Sequence, residues 1–437
     1  YKFTTTFSTF ENIQIVKKMN ITHLGEAKFT SSVKRFVNDN YRVPEHIITD
    51  LNKGYIEGLS FELAGPREKL YFDPKKTKAG IVTCGGLCPG LNDVIRSIYL
   101  ELTHAYGVQE VYGFKWGYKG LLPENDPPVL LTSEFVDDIH KEGGTVLGTS
   151  RGPVDVAKAV DHLVEMGINL LFTIGGDGTQ RGGNALFQEA KKRGHDLAVV
   201  GIPKTIDNDV AFVARTFGYL TAVEEATQVL DRAHIEARSV ENGISLVKLM
   251  GRNAGFIAVG ATVASQDVNF VLVPEVPFKL NGEGGFLNVL KKRILDRKHA
   301  LVVVAEGAGQ ELLSDRQNAK DASGNALLND IGQYLRDEIV AYFKKENIPV
   351  VMRYIDPSYL IRSSPANAED SILCDLFARN AVHAAMAGKT GLVIGYLHDK
   401  FIHVPIELLA SQVKALDVSS FAWKAALAAT GQPERFE

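Results

Sequence analysis

The sequence has few cysteines, no long apolar run and no excess of basic residues, and each shortage excludes a class of protein. It contains 3 cysteines in 437 residues. The pair Cys84 and Cys88 could suggest a metal or redox site, but no second pair completes a four-ligand zinc site. With Cys374, they are expected to be small side chains in a reducing cytosol. No apolar run reaches the roughly 18 residues of a membrane span, so no membrane contact is expected.

The charge of the chain argues against a nucleic-acid partner. Its formal net charge is −4, so an anionic substrate would have to be met by local basic residues. With 45% hydrophobic and 23% charged residues, the chain is long enough for two to three domains. Because the first twenty residues lack arginine, a transit peptide has weak support and we expect a cytoplasmic protein.

From about residue 79, short apolar runs alternate with amphipathic stretches. The runs are continuous and rich in β-branched residues, which is typical of parallel strands buried on both faces. Alternation of strands and helices over some 300 residues predicts α/β domains built from βαβ units. The predicted strands read AGIVT, NLLFTI, DLAVVGI, ISLVKLM, VNFVLV, HALVVVA and GLVIGY.

Glycine-rich or charged segments follow five of these runs. Parallel sheets bind ligands at the carboxyl ends of their strands, so the five segments predict one cleft lined by loops. They read CGGLCPGLND, GGDGTQRGG, PKTIDND, GRNAG and EGAG.

Two of the five segments suit a phosphate. Glycines let the backbone approach a ligand, and the helix predicted from about Asn92 directs its positive end to the same place. In GGDGT, Asp177 could hold Mg²⁺ and Thr179 could donate to a phosphate. The alternatives are a tight turn without a ligand and a helix-capping aspartate. No GxxxxGK[ST] occurs, which excludes a P-loop nucleotide site.

PKTIDND, residues 203–209, carries candidate catalytic groups. Asp207 could take a proton from an attacking hydroxyl, and Asp209 could bind the metal or orient Asp207. Thr205 could position the hydroxyl or the phosphoryl group, and Lys204 could neutralise developing charge. The alternative is a pair of solvated acids with Lys204 as their ion-pair partner.

Arginines near other strand ends supply counter-charge. Guanidinium groups match phosphate geometry bidentately, so several of them beside a magnesium-type carboxylate favour a site for two phosphates. Any single arginine could equally be a surface residue. The candidates are Arg151, Arg252, Arg353 and Arg362.

The combined motifs resemble the phosphofructokinase family, from about Arg67 to His403. The matching segments are GGLCPGLN, GTSRG, GGDGTQ, PKTIDND, KLMGRNAGFIA and VAEGAGQ. The upstream AGPREKLYFDP and the downstream YIDPSYLIR look most similar to the plant and protist ATP-using branch, which is close in sequence to pyrophosphate-using enzymes.

The resemblance implies that a phosphoryl group is transferred to the C1 hydroxyl of fructose 6-phosphate with Mg²⁺. It makes Asp207 the base, with Thr205, Arg252 and Lys204 assisting. Asp177 and Asp209 become the metal-associated acids. The implied ATP site comprises Gly86, Arg151, Gly152, Gly176, Asp177, Gly178 and Thr179. The implied fructose 6-phosphate site comprises Thr205, Asp207, Met250, Gly251, Arg252, Glu306, Arg353, Tyr359 and Arg362.

Two residues argue in opposite directions about the phosphoryl donor. Within the resembled family, glycine after GGD leaves room for the α-phosphate of ATP, whereas aspartate blocks it and leaves pyrophosphate as donor. Gly178 therefore favours ATP, while Lys204 is typical of pyrophosphate enzymes. The steric argument decides for ATP, because a lysine can coexist with ATP but a blocked pocket cannot.

The chain also departs from the bacterial members that it resembles. Gly243 stands where they carry an arginine contributed across a subunit interface, and Tyr359 stands where they carry histidine. The resemblance implies an allosteric homotetramer, although no bacterial effector residue maps convincingly onto this chain.

The resulting prediction is two doubly wound, Rossmann-like α/β domains with an N-terminal extension. The extension covers 1–76, the ATP-binding domain 77–222 plus 363–412, and the fructose 6-phosphate domain 223–362. A C-terminal helix and tail cover 413–437. Rival hypotheses are a pyrophosphate-dependent enzyme, a lipid or NAD kinase with the same GGDGT segment, and a catalytically silent regulatory subunit.

Overall fold

The computed structural model describes residues 17–48, 58–316, 328–409 and 414–437. Parts of the predicted N-terminal extension, 1–16 and 49–57, lie outside the described residues. So do residues 410–413, where the predicted ATP-binding domain meets the C-terminal helix.

Strands and helices alternate along most of the described chain. The strands are β1 (Lys17–Lys18), β2 (Thr22–His23), β3 (Phe29–Thr30), β4 (Arg42–Pro44), β5 (Leu59–Leu63), β6 (Lys69–Leu70), β7 (Lys78–Thr83), β8 (Glu110–Phe114), β9 (Val129–Leu130), β10 (Leu170–Gly175), β11 (Ala198–Pro203), β12 (Gly243–Leu249), β13 (Phe270–Leu272), β14 (His299–Ala305), β15 (Val351–Ile355), β16 (Lys389–Thr390), β17 (Leu392–Leu397) and β18 (Lys400–Pro405). The α-helices are α1 (Leu91–Leu100), α2 (Ser133–Val136), α3 (Val156–Met166), α4 (Asp177–Lys192), α5 (Tyr219–Arg238), α6 (Phe256–Ser265), α7 (Phe286–Arg297), α8 (Ile331–Lys345), α9 (Ala368–Met386), α10 (Ile406–Leu409) and α11 (Phe421–Thr430).

The larger sheet has a parallel centre. Its order is β1-β5-β18-β17-β11-β10-β7-β8-β9, and β17, β11, β10, β7 and β8 run parallel to their neighbours in that stretch. The chain leaves β7 toward β8 on one side, whereas β10 and β11 lie on the other side. The carboxyl ends of β7 and β10 therefore flank a change of winding direction, where such sheets open a crevice for ligands.

Alternate residues of the central strands face two helical layers. On β7, Ile81 packs in the cluster that contains residues of α1 and α9, whereas Val82 packs with residues of α3 and α4. Both side chains are fully buried. Burial on both faces explains why these strands read as continuous apolar runs.

The smaller sheet is parallel throughout and has the order β13-β14-β12-β15. Leu246 of β12 packs toward α7 and α8, while Val247 packs toward α5 and α6. Because Val247 belongs to the same apolar cluster as the larger sheet, the core continues from one sheet to the other. The predicted architecture of Rossmann-like parallel-sheet units is confirmed, and all seven predicted strands are present.

Part of the described N-terminal segment joins the larger sheet, while β2 pairs with β16 and β3 pairs with β6 in two small sheets. β5 pairs with β18, and β4 pairs with β5. Behind this pairing, one carboxylate oxygen of Glu62 meets Arg67 at 2.7 Å, Lys389 at 2.6 Å and His403 at 2.9 Å. Burial opposes ionisation, but hydrogen bonds from His403 and Lys389 hold the pKa of Glu62 well below its ordinary value. Asp39 adds a second, largely exposed carboxylate to Lys389 and Arg67.

The C-terminal tail closes one edge of the smaller sheet. The Gln432 side chain accepts from the Val271 backbone at 2.7 Å and donates to its carbonyl at 3.2 Å, as an added strand would. The Phe436 ring packs against Phe270 and Phe286. Among the described residues, no helix is long and apolar enough to cross a membrane.

The buried carboxylate of Glu62 is expected to stabilise the fold strongly. Glu62 and Lys389 are 3% and 1% exposed, so Glu62→Gln removes the buried counter-charge of a buried lysine. We expect the free energy of unfolding to fall by about 3–5 kcal/mol, measured by urea titration. The exposed Glu68→Gln is the matched control. A loss below about 1 kcal/mol, the range of surface pairs, would contradict this account.

Candidate active site

Hydrogen bonds join the loops that follow the three central strands of the larger sheet. The backbone N–H of Cys84 donates to the Ile174 carbonyl at 2.9 Å, and that of Lys204 donates to Gly175 at 3.1 Å. The Gly85 N–H donates to Ser150 at 3.1 Å, which adds the GTSRG segment. The loops after β7, β10 and β11 therefore form one wall of a cleft.

The buried side chain of Lys204 stabilises this wall through a hydrogen bond. Nζ donates to the Gly86 carbonyl at 2.7 Å. Burial lowers the pKa of Lys204 below its ordinary value. The ammonium thus holds the glycine loop after β7 against the turn that carries Asp207.

Asp207 is a carboxylate in an unfavourable place for negative charge. Burial raises the pKa of Asp207 to about 8, and the charges of Asp209 and Glu306 contribute further. A backbone hydrogen bond from Arg252 and the charge of Lys204 act against this rise. Its Oδ1 is buried without a hydrogen-bond partner. A carboxyl group with a raised pKa and an unused oxygen suits an acceptor for a substrate proton.

The hydroxyl of Thr205 orients both acids of the turn. Its Oγ1 accepts from the Asp207 N–H at 3.1 Å, and the hydroxyl also bonds to the Asp209 carboxylate. The Thr205 carbonyl accepts from the hydroxyl of Thr216 at 2.6 Å. The structure thus places Thr205 within the turn, as a support for the two acids.

Asp177 and Asp209 are electrostatically close. Burial raises the pKa of each, and the charge of Asp209 is the second cause of the rise at Asp177. Two mutually repelling carboxylates fit a divalent cation, because the ion removes the repulsion. No three His, Cys, Asp or Glu side chains among the described residues form a metal-holding group by themselves. The pair Asp177 and Asp209 could hold Mg²⁺, which takes one or two carboxylates and completes its shell with phosphate and water.

The opposite wall comes from the smaller sheet. The Glu306 N–H donates to Leu249 at 2.9 Å, and the Gly307 N–H donates to Gly251 at 3.1 Å. Gly251 has φ +131°, and a Cβ there would lie 2.6 Å from the Ala254 carbonyl oxygen. A Cβ at Gly307 would overlap the Arg252 carbonyl oxygen. Both glycines are therefore required for this close approach of two loops.

Glu306 and Arg252 connect the two walls electrostatically. Burial raises the pKa of Glu306, and the charges of Lys248, Arg252 and Arg362 act against the rise. Arg252 also bonds to Asp207 through its backbone. Met250 is half-buried and packs against the main apolar cluster beside them.

Arg362 lies between the predicted sugar side and the predicted nucleotide side. A Cβ on Gly86 would lie 3.2 Å from Nη1 of Arg362 and 3.5 Å from Nη2 of Arg151. Two guanidinium groups therefore face the glycine loop, while Gly152 follows in a left-handed conformation with φ +107°. This concentration of positive charge suits an anionic ligand such as a polyphosphate.

The start of α4 leaves open space beside Asp177. Gly176 precedes the helix and provides no side-chain cap, and Thr179 is buried below it. A Cβ added to Gly178 would meet only Nη2 of Arg181, at 3.8 Å. The space beside Gly178 is thus free for a ligand.

Two of the predicted sugar-side residues point to the protein surface. Arg353 is exposed, and its Nε donates to Glu236 in the last turn of α5 at 3.1 Å. Tyr359 is 74% exposed, and the Arg362 guanidinium stacks on its ring at 4.9 Å. The Arg353 side chain therefore contacts α5 in the described chain, and its place in the sugar-phosphate site stays a prediction.

Gly243 has no space for a side chain. A Cβ there would overlap the Ala237 carbonyl oxygen. An arginine could not occupy this position on the present backbone, so the departure noted in the sequence follows from local packing.

Two lysines near the site were not predicted from the sequence. Nζ of Lys248 pairs with Asp356 at 2.8 Å and with Asp330 at 3.3 Å, beside Glu306. The Lys414 backbone donates to the Asp209 carbonyl at 3.2 Å. Lys248 stands inside an apolar strand, which is a usable signal because buried lysines need partners. Lys414 lies outside every motif, and nothing in the sequence indicated it.

The three cysteines are buried and free. Cys84 and Cys88 lie in the loop after β7, and burial raises the pKa of each thiol to about 12. Thiols in that state are inert, which agrees with the interpretation of these cysteines as small packed side chains.

Comparison with known sequences matches most of the chain to the family that the sequence motifs resemble. The family model described as Phosphofructokinase matches residues 78–385. "ATP-dependent 6-phosphofructokinase" of Borreliella burgdorferi is 49% identical over 406 residues, which is 91% of each chain. "ATP-dependent 6-phosphofructokinase 7" of Arabidopsis thaliana is 46% identical over 91% of this chain and 82% of its own.

Solved structures share the fold. The pyrophosphate-dependent phosphofructokinase from Marinobacter aquaeolei superposes with TM-score 0.67 at 20% identity, covering 82% of this chain and 93% of that one. The T-state phosphofructokinase of Pichia pastoris gives TM-score 0.64 at 24% identity, covering 81% of this chain and 37% of that one. At these identities the likeness concerns architecture.

The raised pKa of Asp207 predicts a pH-dependent cost to stability. Between the ordinary pKa of 3.8 and about 8, the folded protein holds a proton that the unfolded chain has released. Stability therefore falls as pH rises through this window, by up to about 1.4 kcal/mol per pH unit. Asp207→Asn does not titrate, so its stability relative to the native chain should grow from pH 5 to pH 8.

Urea titrations at three pH values check this prediction, with the exposed Asp296→Asn as the control for a lost carboxylate. A relative stability of Asp207→Asn that is constant with pH would show that Asp207 titrates normally.

Proposed function

The chain belongs to the phosphofructokinase family, and we propose that it is an ATP-dependent 6-phosphofructokinase. In this reaction the C1 oxygen of fructose 6-phosphate bonds to the γ-phosphorus of ATP, and the bond from that phosphorus to ADP breaks. The hydroxyl proton passes to a base, and the product is fructose 1,6-bisphosphate. A kinase of this specificity belongs to glycolysis.

The observation that carries the proposal is the grouping of Asp207, Asp209 and Asp177 at the ends of β10 and β11. Each has a pKa raised by burial, and charges of neighbouring acids contribute at Asp207 and Asp177. Phosphoryl transfer needs an acceptor for the hydroxyl proton and compensation for phosphate charge, and these acids can supply both functions.

Asp207 is the proposed general base. Its unpartnered Oδ1 would accept the proton of the C1 hydroxyl. The positive charge of a bound divalent ion would lower the pKa of Asp207, so that the carboxylate is ionised and can act as a base. Arg252 would stabilise charge on the transferring phosphoryl group or the sugar phosphate. Lys204 and Thr205 would keep the loops in position through their bonds to Gly86 and Asp209.

Asp177 and Asp209 would hold Mg²⁺ together with the phosphates of the donor. When bound, the ion neutralises negative charge on the phosphoryl oxygens. Gly86, Arg151, Gly152, Gly176, Gly178 and Thr179 would surround the nucleotide. Met250, Gly251, Arg252, Glu306, Tyr359 and Arg362 would meet the sugar phosphate, and Arg353 keeps this role only as a sequence-based prediction.

ATP is the proposed donor rather than pyrophosphate. The open space at Gly178 supports this choice, because an α-phosphate can lie where a side chain would otherwise stand. Lys204 does not oppose it, since its ammonium already bonds to the Gly86 carbonyl. Relatives 45–49% identical over most of the chain are named ATP-dependent 6-phosphofructokinases.

Assembly and location are proposed from the family and the relatives. We propose a homotetramer in the cytoplasm, with allosteric control, although some similar Arabidopsis proteins are named chloroplastic. The domain division at residues 77, 223 and 363 is proposed likewise: the smaller sheet lies between Gly243 and Ile355, and β17 lies after it.

The direct test is an assay of the purified chain with fructose 6-phosphate and either ATP or pyrophosphate. We expect fructose 1,6-bisphosphate with Mg²⁺ and ATP, and little with pyrophosphate. Turnover with pyrophosphate alone would reverse the donor assignment. Phosphorylation of NAD or diacylglycerol, but not of fructose 6-phosphate, would show a different kinase, and no turnover at all would favour a silent subunit.

Replacing the proposed base tests its role. We expect Asp207→Ser to reduce kcat roughly 10²–10⁴-fold, because proton transfer to a positioned side chain contributes that much. The KM for fructose 6-phosphate should change little. Asp231→Ser, on the exposed face of α5, is the control. Near-native kcat in Asp207→Ser would remove Asp207 from this role.

Adding a carboxylate at Gly178 tests the donor argument. The backbone there accepts a side chain without strain, so Gly178→Asp should fold normally. We expect the KM for ATP to rise more than about tenfold, because like charges in contact cost several kcal/mol. Gly178→Ala separates crowding from repulsion. Unchanged ATP kinetics in Gly178→Asp would refute the steric argument.

A further inference from the structure

Lys414 lies where the chain crosses from the larger sheet to the smaller one. α10 packs against α4 and β18 of the larger sheet, whereas α11 packs against α6 and β13, and the tail extends the edge of the smaller sheet. At the crossing, the Lys414 N–H donates to the Asp209 carbonyl at 3.2 Å. Two residues later, the Leu416 N–H donates to Glu275 at 2.8 Å, and the same carboxylate accepts from the N–H of Gly255 before α6. This short segment therefore ties the turn that contains Asp207 to the opposite wall.

The Lys414 side chain binds the same segment of chain. Nζ donates to the Val213 carbonyl at 2.8 Å and to the Ala214 carbonyl at 2.9 Å. It also lies 5.0 Å from the centre of the Phe256 ring, at the first residue of α6. With the backbone contact to Asp209, one residue holds three carbonyl groups of the segment from Asp209 to Ala214.

This segment needs external support. Asn208 and Phe212 have φ of +57° and +59°, a left-handed conformation that costs free energy in residues other than glycine. Asn208 is supported from within, since its side-chain oxygen accepts from the Thr216 N–H at 3.0 Å. Phe212 is supported by β17, because its carbonyl accepts from the Tyr396 N–H at 3.1 Å and the Ala214 N–H donates to the Tyr396 carbonyl at 2.6 Å. Lys414 adds a second support from the other side of the chain, since it binds the two carbonyls that follow Phe212.

The charge of Lys414 acts on the nearby acid. Lys414 is half-buried. Burial raises the pKa of Asp209, and the positive charge of Lys414 acts against that rise. The charge and the backbone contact of Lys414 thus act on the same residue, Asp209.

We propose that Lys414 is a positioning residue for phosphoryl transfer, which orients Asp209 and Asp207 by holding the carbonyls of Val213 and Ala214. The inference rests on the proposed function, but the contacts that carry it do not involve substrate.

Two measurements on Lys414→Met test this inference. Methionine keeps the length and the contact with Phe256 but loses the charge and the donors. We expect kcat with ATP and fructose 6-phosphate to fall about 100-fold, because small misplacements of reacting groups cost that much. Hydrogen–deuterium exchange should accelerate in peptides spanning residues 205–216 and remain unchanged in α3. Lys414→Arg, which retains charge and donors, should recover most of the turnover.

Lys424→Met, an exposed lysine on α11, is the matched control and should behave as the native chain. If Lys414→Met fails to fold, Lys414→Gln replaces it, since the shorter amide cannot bind both carbonyls. Native turnover or native exchange in 205–216 would overturn the proposal. So would failure of arginine to restore turnover. Exchange does not depend on catalysis, so an inactive native chain would refute the proposed function and leave the positioning role open to the same test.

Discussion

The site depends on placing several carboxylates where negative charge is unfavourable. Asp177, Asp207, Asp209 and Glu306 all have a pKa raised by burial, and they follow the ends of strands from two different sheets. Such a cluster is stable only if cations or protons balance it. The surrounding lysines and arginines balance part of this charge, and a bound divalent ion would balance more. The same electrostatic cost that weakens the unliganded fold therefore prepares the site for its ligands.

Much of the fold follows from patterns visible in the sequence. Strands such as β14 are buried on both faces, so they read as unbroken apolar runs and were predicted from them. The N-terminal strands are different: β4 and β5 lie at the margin of the sheet, and their pairing depends on contacts such as Glu62 with Lys389, over 300 residues away. Local patterns do not encode such pairings. The tail is similar, because Gln432 completes the edge of the smaller sheet from the far end of the chain.

The site divides in the same way. Residues in the glycine-rich turns, such as Asp177 and Asp207, were predicted because strand ends of parallel sheets converge. Lys414 was not predicted, because it lies in the segment between α10 and α11, which contains no recognisable motif. For Arg353, the pattern indicated a strand-end cation, but the structure directs the side chain to Glu236. Spacing along a strand gives proximity to the cleft, whereas the direction of a side chain depends on the neighbouring helix.

A crystal structure of the chain with Mg²⁺, ADP and fructose 1,6-bisphosphate would test the central claim most directly. The account predicts the ion between Asp177 and Asp209, in contact with phosphate oxygens. It also predicts the C1 oxygen of the sugar within about 2.6–3.2 Å of the Asp207 carboxylate, the reach of a proton acceptor. An ion held by other residues, or a sugar whose C1 oxygen lies away from Asp207, would contradict it.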